Sequence, residues 1–182
     1  MHELASYQLL FGTYEDAKSL IGVRSAPRTG DLDVNAAMIK HYSSAIEDGN
    51  ASYWDEEFAR EQWGGLLSPP GLLLTWSMQF LWTPDRAAES LPIPLCGHIP
   101  LPGETVVNFS QEAEFFDVIL DGDRLTMVET LLELSELKQT RLGAGHFMTA
   151  EAEFTNQRGR VVAVLTNVLY RFTPAEPKGA DA

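Results

Sequence analysis

The stretch Leu66–Trp82, LLSPPGLLLTWSMQFLW, constrains the fold more than any other. Ser68-Pro69-Pro70-Gly71 opens it, and prolines suit the first turn of a helix, where a missing N–H costs nothing. Leu72, Leu73, Leu74, Trp76, Met78, Phe80, Leu81 and Trp82 follow, leaving no broad polar face. The pattern predicts a helix over Gly71–Trp82 that is buried on most sides. After Val106 the apolar period falls to two, the signature of strands. A long sheet wrapped around one buried helix accommodates both features.

Upstream, helices are expected over Tyr14–Ile21, Ala36–Glu47 and Glu56–Trp63. Asp33 or Asn35 caps the second and Gly64-Gly65 ends the third. Val23–Arg28 is a candidate first strand. Downstream, strands are expected over Val106–Phe116, Arg124–Leu137, His146–Thr155 and Arg160–Phe172. Asp121-Gly122-Asp123 and Asn156-Gln157-Arg158-Gly159 supply turns between them. Helices first and antiparallel strands after make an α+β chain. The expectation is one domain over 1–182, with a frayed tail at 173–182. Thr83–Glu104 is a long connection holding Pro84, Pro92, Pro94, Pro100 and Pro102. A connection of that length reads either as a functional lid or interface, or as a tethered surface excursion.

A net charge of −13 and a pI near 4.6 weigh against non-specific binding to nucleic acid or anionic membranes. Cys96 is the single cysteine, so no intrachain disulfide can form, which fits a reducing cytoplasm. Met1–Gly12 has no basic segment of the kind that opens a signal peptide. The longest apolar run is broken at Ser68–Gly71 and is too short for a membrane span.

Chemistry concentrates in Ile46–Phe58, I-E-D-G-N-A-S-Y-W-D-E-E-F. Here the chain resembles the MaoC-like dehydratases, a hot-dog-fold family related to the dehydratase of fatty-acid synthases. The family pattern is Asp, any residue, Asn, Pro, then a His two positions on, and an Asp two further on. Asp48, Asn50 and Asp55 match it, whereas Ala51 stands at the proline and Tyr53 at the histidine. The resemblance runs on through the apolar stretch, the turn at Asp121–Arg124 and the hairpin Phe154–Ala163, covering roughly Ala17–Phe172. It implies a single hot-dog fold, its long antiparallel sheet wrapped around a buried central helix.

The resemblance also implies a reaction. An Asp and a His hold a water that adds to a 2-enoyl thioester, or that leaves a 3-hydroxyacyl thioester. A backbone N–H at the start of the central helix, here matched by Gly71, stabilises the enolate; Trp76 and Phe80 are then candidate walls of the acyl pocket. The degenerate catalytic motif is Asp48, Asn50 and Tyr53. A phenol with a pKa of about 10 is a poor general base near neutrality, where an imidazole of about 6.5 serves well. The preferred expectation is therefore a subunit of a heteromeric enoyl-CoA hydratase or dehydratase, weakly active alone. It shapes the acyl tunnel while a second hot-dog subunit supplies Asp and His.

Alternatives stay open. One is a self-sufficient homo-oligomeric (R)-specific hydratase, and another is a non-catalytic acyl-thioester-binding protein. Asp48 and Asn50 also suit a purely turn-ordering role. A hot-dog thioesterase fits less well, because Leu72–Trp82 carries no Asp or Glu. The expected ligand is an acyl-CoA or acyl-carrier-protein thioester, with no cofactor and no metal. Cys96-Gly97-His98 offers two ligand types without a second pair. His2, His41, His98 and His146 all lie outside the motif.

Overall fold

The structure is a computed structural model that describes residues 9–80, 82–84 and 95–175. Its elements are helices α1 (Tyr14–Lys18), α2 (Ala36–Ala45), α3 (Ala51–Trp54), α4 (Glu56–Trp63) and α5 (Leu95–His98), and strands β1 (Arg28–Thr29), β2 (Thr105–Phe115), β3 (Thr126–Leu134), β4 (Lys138–Thr140), β5 (Gly143–Thr155) and β6 (Val161–Pro174). The strands form one antiparallel sheet in the order β1-β3-β5-β6-β2, with β4 paired to the start of β5. This is the α+β hot-dog arrangement expected from the sequence.

Alternation along β5 decides which face is covered. Met148, Ala150, Ala152 and Phe154 are buried, while Phe147, Thr149, Glu151 and Glu153 are only partly so. Phe154 and Ala152 join Met127 of β3 and Val162 and Leu165 of β6 in the main core, against Leu72, Leu73 and Trp76. Ile39 of α2, Tyr53 of α3 and Ala59 of α4 close the same cluster. A second cluster places Ala17 of α1 with Ile99, Leu101, Leu131, Leu134 and Met148.

The element beneath the sheet is shorter than the sequence pattern predicts. In place of a helix through Trp82 there are two 3₁₀ turns, Pro70–Leu72 and Thr75–Ser77, and the chain is extended at Met78. Trp76 is fully buried, and its indole Nε1 donates to Ser68 Oγ at 2.7 Å. Beyond it the apolar residues turn outward: Phe80 is 45% exposed and Trp82 69%. Close approach explains why the segment stops there. Asp31 N donates to Met78 O, and Phe80 N donates to Asp31 Oδ2 at 2.7 Å, so the residues after β1 take over the backbone that a helix would have used. A Cβ at Gly30 would overlap the Trp76 carbonyl oxygen, so only glycine lets the two segments dock.

Other boundaries differ for local reasons. The first strand shrinks to Arg28–Thr29, with an isolated bridge at Arg24–Thr130; before it Ser25 engages Glu129, its N donating to Glu129 O and its Oγ accepting from Glu129 N in place of a regular ladder bond. The strand expected over Arg124–Leu137 breaks after Leu134, where Ser135 N donates to Phe147 O and Ser135 Oγ accepts from Phe147 N. β5 begins at Gly143, its Gly143-Ala144-Gly145 start hidden by weak strand propensity. β6 continues through Pro174, so Thr173 and Pro174 belong to the sheet rather than to a frayed tail; residues 176–182 lie outside the described ones. The proline-rich connection is described only at Thr83, Pro84 and from Leu95 onward. Its final stretch is fastened by the buried Arg171, which donates to Ile99 O at 2.7 Å and Gly103 O at 2.9 Å.

Trp76 is the largest fully buried side chain among the described residues. Trp76→Ala is expected to destabilise the fold by roughly 3–5 kcal/mol, the usual range for deleting a buried aromatic. Urea unfolding followed by circular dichroism measures it, and a loss under about 1 kcal/mol contradicts this packing.

Candidate active site

The Ile46–Phe58 loop leaves the end of α2 through Glu47, a non-glycine residue at φ 56°. Asp48 N donates to Ser43 O, fixing the turn. Asp48 Oδ1 then accepts from Asn50 N at 3.0 Å, and Asn50 Oδ1 accepts from Ser52 N at 3.0 Å, capping α3. Trp54 Nε1 donates to Asp48 O at 2.7 Å. Asp55 caps α4, its Oδ1 accepting from Glu57 N and Phe58 N, each at 3.0 Å. The three residues that match the family pattern therefore each order a turn or cap a helix.

Tyr53 points inward and is 6% exposed. Burial pushes its phenol above the ordinary value, and the neighbouring Asp48 carboxylate pushes the same way. A hydrogen bond with the Asn50 side chain opposes them, and the nearby Tyr42 adds a smaller upward push. The phenol is thus held protonated near neutrality. It can donate a hydrogen bond there but cannot serve as a base.

The loop is tied to the Pro-Pro-Gly segment. Trp63 Nε1 donates to Ser52 Oγ at 3.0 Å, Leu67 N donates to Ser52 O, and Ser68 N donates to Ile119 O. Gly71 follows within the first 3₁₀ turn, where Leu72 N donates to Pro69 O and Leu73 N to Pro70 O. Tyr42 of α2 lies directly against Gly71: a Cβ there would overlap the phenol oxygen and sit 2.6 Å from Cζ. Asp48, Asn50, Tyr53, Tyr42 and Gly71 therefore form one neighbourhood. Trp76 packs in the core behind it, and Phe80 lies beyond it on the partly exposed stretch.

Tyr42 is the site residue that the sequence alone does not single out. It falls on the expected apolar face of α2 and carries no motif. None of the described histidines joins this neighbourhood by a hydrogen bond. His41 and His98 are exposed, while His146 is buried, its Nδ1 bonded to Ser135 O and its ring stacked on Tyr14. Among the described residues no three His, Cys, Asp or Glu side chains converge as metal ligands.

Residues 19–165 match the family model described as FAS1-like, dehydratase domain region. The chain is 34% identical over 164 residues to a probable enoyl-CoA hydratase alpha subunit of Thermomonospora curvata, an alignment covering 85% of the chain and 50% of that relative. The chain thus spans about half that relative's length. A crystal structure of the ChsH1-ChsH2 complex from Mycobacterium tuberculosis contains a chain that superposes at a TM-score of 0.69 with 26% identity, covering 92% of this chain and 97% of that one. A MaoC-like dehydratase from Rhodospirillum rubrum superposes at 0.58 with 24% identity, covering 85% and 94%, and shares the fold.

The environment of Tyr53 sets a pH dependence. Its folded pKa is raised, so the folded state keeps a proton that the unfolded phenol releases above about pH 10. The associated stability is complete below that pH and is lost as pH rises through the folded value. Urea unfolding between pH 8 and 11 is expected to show Tyr53→Phe losing less stability than the parent over the alkaline limb. Parallel curves contradict the placement of Tyr53.

Proposed function

The chain belongs to the FAS1-like dehydratase-region family of MaoC-like hot-dog proteins, and from that premise we propose that it is one subunit of a heteromeric enoyl-thioester hydratase or dehydratase. In this reading the chain shapes the acyl-binding tunnel, and a second hot-dog subunit supplies the Asp and His that handle the proton. One observation carries it: the side chain at the histidine position is a buried phenol whose surroundings hold it protonated. Asp48 Oδ1 and Asn50 Oδ1 each accept from a backbone N–H group of the same loop. In this reading they shape the rim of the tunnel, Gly71 marks where the thioester would approach, Trp76 packs behind it and Phe80 meets the acyl chain.

The sheet supports a partner. β2 runs for 11 residues and pairs only with β6, leaving its other edge unpaired among the described residues. Phe109 on it is 69% exposed, and Phe115 is 40% exposed. A long, open edge is what another sheet adds to, and Phe109 and Phe115 offer it apolar contacts among polar neighbours. The names of the similar proteins point the same way, since one is an alpha subunit and another is a two-component complex. The substrate class is an acyl-CoA or acyl-carrier-protein thioester. The net charge of −13 makes this chain a poor holder of an anionic carrier, so most carrier contacts fall to the partner.

Initial rates of 2-enoyl thioester hydration, followed by absorbance, test the reading. Parent, Tyr53→Phe and Tyr53→His are each assayed with and without a second hot-dog subunit that carries the Asp and His. The parent alone is expected at background and the mixture active, with Tyr53→Phe changing the mixture by less than about twofold and Tyr53→His at most adding weak activity. A parent active alone, and losing about 100-fold or more in Tyr53→Phe, would make Tyr53 the acid–base and the chain a self-sufficient enzyme.

A further inference from the structure

The open edge of β2 carries charge of one sign. From Leu101 to Ile119 the chain has Glu104, Glu112, Glu114 and Asp117, and no Lys, Arg or His. Arg160 is paired with Asp117 at 2.8 Å. Glu112 and Glu114 are exposed and have no ion pair or side-chain hydrogen bond among the described residues. They lie two residues apart with no bulge between them, so both stand on one face of the sheet. Their neighbours on β6 are Thr166 and Val164, and one strand further in come Glu151 and Glu153 of β5. Of these four glutamates only Glu153 has an ion pair, with Arg24, among the described residues.

Strand geometry decides what such an edge accepts. Side chains directly opposite on paired strands stand about 5 Å apart, where unlike charges attract and like charges repel. A second copy of β2 offers neither glutamate a cation in any register within Leu101–Ile119. The antiparallel register centred on Ala113 sets Glu112 against Glu114 twice. Resting on the subunit reading above, we propose that Glu112 and Glu114 select the occupant of this edge. They disfavour a second copy of this chain and favour a hot-dog subunit whose facing strand carries Lys or Arg opposite them. The selection works by difference, because the same two carboxylates destabilise one pairing and stabilise the other. Phe109 and Phe115 offer apolar contact to either occupant and do not discriminate.

Two measurements test the proposal on the full chain, with variants shown to be folded by circular dichroism. The first needs no partner. Sedimentation equilibrium at low salt compares the parent with Glu112→Gln/Glu114→Gln, which keeps the shape of the strand. The variant is expected to self-associate about tenfold or more tightly than the parent. Equal or weaker self-association of the variant overturns the selection against a copy. The second titrates the chain against a second hot-dog subunit that makes the mixture active in hydration. Glu112→Lys/Glu114→Lys is expected to raise the Kd of assembly about tenfold or more. The parent's Kd is expected to rise with salt more steeply than that of Glu112→Gln/Glu114→Gln. An unchanged Kd on charge reversal, or parallel salt curves, overturns the preference for a basic strand in a mixture that is still active. A parent that hydrates alone and gains nothing from a second subunit defeats the subunit reading, and the preference for a basic strand with it. The first measurement then still decides whether the glutamates oppose self-pairing.

Discussion

The packing of Trp76 beneath the sheet is the constraint on which the other features depend. The indole is sealed among residues from β3, β5, β6 and the helices, with its one polar atom bonded to Ser68. That bond pins the Pro-Pro-Gly segment, because Ser68 is itself tied to Ile119 by its backbone. The same segment is joined through Leu67 to Ser52, and so to the loop carrying Asp48, Asn50 and Tyr53. A buried aromatic contributes several kcal/mol, whereas each cap in the loop contributes about 1 kcal/mol. The core therefore dictates where the motif sits, and the caps refine its shape.

Within that frame, replacing a histidine by tyrosine changes more than one group. An imidazole near neutrality exchanges protons readily, while a buried phenol beside a carboxylate is pushed further from exchange. In the same loop one oxygen each of Asp48 and Asn50 accepts from a backbone N–H group. That combination suits a subunit that builds a tunnel wall in an assembly.

The sheet was legible in the sequence because its signal is strong. The alternation across His146–Thr155 separates Met148, Ala152 and Phe154 from Thr149, Glu151 and Glu153, and the structure places them on opposite faces. The apolar stretch was legible as buried but not as to length. Its composition through Trp82 reads as a helix, yet Asp31 ends it at Ser77, its N donating to Met78 O and its carboxylate accepting from Phe80 N, and no local pattern reports a long-range competitor. The motif loop was legible through Asp48, Asn50 and Asp55. Tyr42 was not, because an aromatic residue on the core face of a helix looks like packing, and its meeting with Gly71 arises only in the folded chain.

The central claim is that this chain presents one open half of a two-subunit sheet. Amide hydrogen exchange across 105–115 tests it most directly, in the chain alone and in the mixture with a second hot-dog subunit that gains hydration activity. The account predicts fast exchange on the outward-facing amides of β2 in the isolated chain and clear protection of them in the active mixture. An active mixture in which residues 105–115 exchange as fast as in the isolated chain would contradict it.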